Sequence, residues 1–164
     1  MPFYQKRGEI PPKKHTQFRN EKGELYWEEL VSREGFSSIY SNLYHTNPPT
    51  ALKAIGKSIP HELAGLNFRH QHLHIDSSNV KSSGDSISSR IPLFYNEDIV
   101  ISKAHVSNSM NFLYRNGCSD EILFIHEGTG SYESNFGIID LNPGDYLVIP
   151  RGVIWKIVPK NNLK

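Results

Sequence analysis

The chain has one cysteine, Cys118, among its 164 residues. An internal disulfide is therefore excluded, and the lone thiol favours a reducing compartment. No run approaches the ~18 apolar residues that a membrane helix needs. The first twenty residues carry "QKRGE", "KKH" and "FRNEK" but no apolar segment, which argues against a secretory signal. Neither sign of charge is in excess: 18 Lys and Arg stand against 17 Asp and Glu, a net of +1. That balance gives no electrostatic reason to expect nucleic acid or an acidic membrane as partner. The expectation is a soluble, cytoplasmic protein. A chain of this length can bury a sizeable core. It suits one domain, or one domain with an extended arm.

Turn formers and aromatics crowd residues 1–60, in "GEIPPKKHTQF", "GELYWEEL" and "GFSSIYSNLYHTNPPTAL". Tyr26, Trp27, Phe36, Tyr40 and Tyr44 recur without a clean period. Only "YWEELVSREG" could form a short helix, stopped at Gly35. Irregular aromatic segments need a surface to cover. Residues 1–60 thus read as an irregular arm laid over a barrel or a neighbouring subunit. Residues 66–76, "LNFRHQHLHID", alternate as a strand would. Residues 77–90, "SSNVKSSGDSISSR", are serine-rich and polar, hence a loop or mobile segment.

From residue 91 the character changes. "IPLFYNEDIVISKAHVS", "MNFLYRN", "DEILFIHEGTGSYESNFGIIDL" and "DYLVIPRGVIWKIV" are short apolar runs rich in Ile, Val, Phe and Tyr. Gly, Asn, Asp or Pro separates them at intervals of about ten residues, the spacing of an antiparallel sandwich or barrel. Gly128 and Gly130 suit the positive φ of a tight hairpin, and Gly152 does the same after Pro150. There is no internal repeat.

The segment "DEILFIHEGTGSYESNFGIIDLNPGDYLVIPRG" resembles the cupin double motif, with a Glu opening a strand, an "EGTG" turn and a closing "PGDYLVIPRG". This implies a mainly β fold, a degenerate and incomplete cupin-like (jelly-roll) barrel over 91–158. The domain expectation is an arm at 1–60 followed by an N-terminal cupin-like β domain at 61–164. The ordered stretches "MPFYQKRGEIPPKKHTQFR", "LYWEELVSREGFSSIYSNLYHTNPPT", "RIPLFYNEDIVIS" and "FLYRNGCSDEILFIHEGTG" resemble homogentisate 1,2-dioxygenase of the bacterial type. The resemblance runs from Met1 to about Val158. It implies a cytoplasmic, homo-oligomeric Fe(II) enzyme of tyrosine and phenylalanine breakdown, which opens the ring of homogentisate with O2 to give maleylacetoacetate. Members of that family are longer. They have two cupin-like halves, with iron on two His and one Glu in the C-terminal half. This chain resembles the N-terminal half alone.

Does a metal site remain in these residues? A cupin site takes a His-x-His pair and a Glu from the first motif and a His from the second, converging on one cation. Glu121 holds the Glu position. The His positions fall on Arg115 and Gly117, or on Tyr114 and Asn116. The last ligand position falls on Trp155, whose indole cannot bind iron. One ligand of four survives, so Glu121 reads as structural, and neither catalytic nor cofactor-binding residues are expected. His126, five residues after Glu121, should face the other way on a strand. "HQHLH" is the rival: on a strand, His70, His72 and His74 would line one face at a spacing that suits a metal. The plainer reading is a half-exposed strand. Cys118 lies in a turn beside Asp120 and Glu121, a poor setting for a nucleophilic thiolate. Fe(II) is thus expected in the full-length family and not in this chain, which alone should be inactive.

The alternative is a free-standing, metal-free cupin-like binding or assembly protein. "IVPKNNLK" closes directly after the second motif. A cupin barrel normally needs another strand to cover that edge, and a bare edge invites aggregation. That favours part of a longer enzyme.

Overall fold

Alternation of inward and outward side chains decides which of these runs become strands. The computed structural model describes residues 17–32, 34, 35, 37, 39–59, 63 and 72–164. The chain divides into two compact units, Met1–Ser58 and Ile59–Lys164.

In the first unit β1 (Trp27–Ser32) pairs antiparallel with β2 (Tyr40–His45), Trp27 opposite His45 and Ser32 opposite Tyr40. The expected helix at "YWEELVSREG" is therefore corrected to a strand. An isolated helix so short is costly to nucleate, whereas "YSNLYH" offers a six-residue partner rich in aromatics. Gly35, expected to stop a helix, instead turns the hairpin at φ +59°, and the Ser32 hydroxyl donates to its carbonyl at 2.6 Å. His45 Nε2 lies 2.8 Å from Glu29 Oε2 on a diagonal across the ladder. Phe18 packs on Tyr44, ring centroids 4.4 Å apart. Burial raises the Tyr44 phenol pKa, helped by the Glu28 carboxylate.

The second unit is mainly β, as expected. β3 (Ile91–Tyr95) and β4 (Val100–Lys103) form a ribbon. β5 (Tyr114–Arg115), β7 (Gly130–Ser134), β8 (Gly137–Leu141) and β10 (Ile154–Pro159) form a sheet in the order β5-β10-β7-β8. β6 (Glu121–Phe124) pairs with β9 (Tyr146–Ile149) in a separate two-stranded sheet. The chain thus shuttles between two sheets, which is consistent with the cupin-like expectation. Among the described residues no closed barrel forms.

Two turns read as hairpins are corners instead. "EGTG" carries the chain from β6 to β7, and "PRGV" carries it from β9 to β10. Each joins strands of different sheets. Gly128 has the expected positive φ, +89°. Gly130 does not: it is needed for space, since a Cβ there would stand 2.8 Å from the Val158 carbonyl oxygen.

Side chains of both sheets meet in one core. Tyr132, Leu141, Trp155 and Ile157 come from the larger sheet, Leu147 and Ile149 from β9, with Val106, Met110, Ile125, Val153 and Leu163 around them. Leu163 bridges Val106 through both backbone bonds, at 2.8 and 3.0 Å.

The serine-rich stretch is tightly bonded rather than open. Ser77–Asn79 make a 3-10 turn whose N-cap is Asp76. Asp85 Oδ1 accepts from the N–H groups of Ile87 and Ser88 at 2.8 and 2.9 Å. The Ser88 hydroxyl donates to Asp85 Oδ2 at 2.8 Å. Ser86 and Ser89 are buried, satisfied by Met110 Sδ and the Asp85 carbonyl. The turn delivers Arg90 to the start of β3.

Candidate functional site

β6 alternates in the opposite sense to a soluble edge: Glu121 and Leu123 point inward while Ile122 and Phe124 point out. Burying a carboxylate requires a partner, and Arg90 supplies it. Arg90 Nη1 donates to Glu121 Oε1 at 2.6 Å, with the side chains 25% and 10% exposed. Arg90 Nε donates to the Ser86 carbonyl at 2.8 Å. The guanidinium carbon stands 5.7 Å from the Tyr114 ring centroid and 5.9 Å from that of Trp155, within cation–π reach of both. Tyr114 meets Trp155 edge-on at 5.3 Å. Tyr132 lies on the other side of Trp155 at 5.9 Å.

Trp155, which the motif resemblance sets against the second-motif ligand, is 0% exposed and central to the core. Burial raises the Tyr114 phenol pKa, and the Glu121 charge adds to it against the opposing pull of Arg90. Burial likewise raises the Tyr132 phenol pKa.

These residues do not fit Fe(II). A guanidinium already occupies the space beside the one carboxylate. Glu121 Oε2, Arg90 Nη2 and Trp155 Nε1 have no hydrogen-bond partner in the protein and less than 1 Å² of accessible surface each. An ion with open positions for substrate and O2 needs room that such atoms lack. Of the other positions read for ligands, Arg115 and Gly117 are exposed, and Asn116 turns its side chain to the N–H groups of Cys118 and Ser119 at 2.9 and 3.0 Å. Cys118 is exposed in that turn.

Among the described residues, the histidines read as candidate ligands are exposed and stand apart from this centre. His126 is 70% exposed, on the opposite face from Glu121 as expected. His72 and His74 are exposed, and residues 72–76 are not a strand. His70 lies outside the described residues. Among the described residues, no three His, Cys, Asp or Glu side chains group so as to hold a metal, and no helix is long and apolar enough to cross a membrane.

Arg90 was invisible to motif reading. It closes a serine-rich loop, 31 residues before the glutamate it neutralises. The sequence offered only a Glu opening a strand of apolar residues; its inward placement, which calls for a cation, is seen in the structure.

A Saccharolobus solfataricus protein named "Putative dioxygenase SSO1533" is 38% identical over 166 residues, covering 99% of this chain. The chain spans 42% of that relative's length. Among solved structures, a cupin-2 domain containing protein from Shewanella frigidimarina is similar at 24% identity and a TM-score of 0.42. That likeness covers 46% of this chain and 72% of the other. No protein-family model matches the chain.

Proposed function

We propose that this chain is the metal-free, N-terminal cupin-type part of a ring-cleaving dioxygenase of the homogentisate type. The observation that supports a dioxygenase is the 38% identity over 99% of the chain to a protein named as one, of which the chain spans only 42%; the homogentisate substrate rests on the motif resemblance alone. In this reading Fe(II) belongs to the remainder of a longer, cytoplasmic, homo-oligomeric protein, where it activates O2. The residues of this chain do other work. Arg90 neutralises Glu121 inside the domain. Trp155, Tyr114 and Tyr132 fill the space where a cupin would keep its ion. The domain contributes scaffold and subunit contacts.

Oxygen uptake tests this. The longer protein, loaded with iron, is expected to consume O2 with homogentisate, and the 164-residue chain under the same conditions is not. Uptake by the short chain alone would overturn the assignment of the site. A longer protein that binds iron and ignores homogentisate would overturn the substrate.

A further inference from the structure

The outward faces of the two sheets of the second unit differ in charge. On the larger sheet the outward face is mixed: Ile154 and Val158 are half-buried beside Ser131, Glu133 and Lys156, the last two opposite one another and paired at 2.9 Å, and on β8 the exposed Ile138 stands next to Asp140 across from Glu133 and Ser131. That face carries charges of both signs. The outward positions of β6 and β9 are Ile122, Phe124, Tyr146 and Val148, exposed by 68, 48, 71 and 62%. The register sets Ile122 opposite Val148 and Phe124 opposite Tyr146, the two rings 4.7 Å apart. The four side chains therefore form one continuous patch with no charged member. Inward, the same strands place Leu123, Leu147 and Ile149 in or against the core. Apart from Glu121, the sheet is apolar on both faces, the pattern of a sheet covered on both.

The β3–β4 ribbon also exposes apolar side chains. Ile99, Val100 and Ile101 are consecutive and exposed by 61, 46 and 55%. Consecutive strand residues point to opposite sides, so both faces of β4 carry bare apolar surface.

We infer that the outer face of the β6–β9 sheet is the docking surface for the remaining polypeptide of the longer protein. This rests on the reading above that the chain is one part of such a protein. More than half of the dioxygenase-named relative has no counterpart in these 164 residues, and that polypeptide is the occupant to which the inference commits. The partner chemistry is an uncharged apolar face, able to meet an aromatic pair at one end and an aliphatic pair at the other.

The test places Ile122→Lys with Val148→Glu in two proteins, the 164-residue chain and the longer protein. In the short chain both positions face water, and the melting temperature is expected to hold. In the longer protein it is expected to fall by several degrees. Hydroxyl-radical labelling of the unsubstituted proteins supplies the second readout, with Phe124 and Tyr146 oxidised several-fold more slowly in the longer one. Equal melting shifts in the two proteins, or equal labelling, would overturn the inference. Self-association of the longer protein abolished by the same pair would assign the face to a second copy and also overturn it. These outcomes are independent of homogentisate turnover, so the docking face and the substrate reading fail separately.

Discussion

Glu121 and Arg90 are held together inside the second unit at 2.6 Å, and each side chain is buried well enough that losing its partner should be costly. Arg90→Met is expected to lower stability by about 3 kcal/mol, because a buried carboxylate is left without its cation. The double variant Arg90→Met with Glu121→Leu should recover most of that loss. Urea unfolding of the two single variants and the double completes the cycle; additive losses would mean the pair is not coupled. The glutamate was legible in the sequence as a cupin position. Its cation was not, because no local pattern ties residue 90 to residue 121. Asp85 is a second residue with a defined energetic role. Burial pushes its carboxyl pKa upward, but the N–H groups of Ser88 and Ile87 and the Ser88 hydroxyl outweigh burial and hold it below the ordinary value. A lowered pKa in the folded state stabilises the protein above the ordinary value near 3.8. That contribution is lost as pH falls from there through the folded value. Asp85→Asn should therefore flatten the acid side of the stability–pH curve in that window. An unchanged acid slope would contradict this account of the turn.

The elements depend on where a side chain cannot be tolerated as much as on where one is wanted. Gly130 begins β7 beneath Pro159 and Val158, with the Val158 carbonyl oxygen 2.8 Å from where a Cβ would sit. Gly130→Ala is expected to cost about 1–3 kcal/mol by overpacking, measured by thermal or urea unfolding. A cost within the range of ordinary surface changes would show that the strand can shift aside. The strands from residue 91 onward were legible because their alternation is strong and their boundaries fall on Gly, Asn and Pro. The connections were not. "EGTG" has the composition of a hairpin turn, and nothing local distinguishes a hairpin from a corner between sheets; β7 finds β10 rather than β6 only through the shared core. The β1–β2 hairpin was missed for a related reason. "WEELVS" carries helix-forming Glu and Leu, and its strand character comes from its partner at Tyr40–His45.

For the whole molecule, the sequence made legible a set of departures from a ligand set and little of what stands there instead. The positions Arg115, Gly117 and Trp155 could be read as departures from a ligand set, and Trp155 proves to be the most buried side chain of the core. How the interior around Glu121 is filled required three dimensions, since it draws on residues 90, 114, 121, 132 and 155 from a loop and four strands. The central claim is that the interior at Glu121 is closed by Arg90 and Trp155 and holds no iron. Elemental analysis of the purified 164-residue protein after anaerobic Fe(II) loading and desalting tests this most directly. The expected result is iron far below one ion per chain, unchanged by Glu121→Ala. Iron bound at one per chain and lost on Glu121→Ala would contradict it.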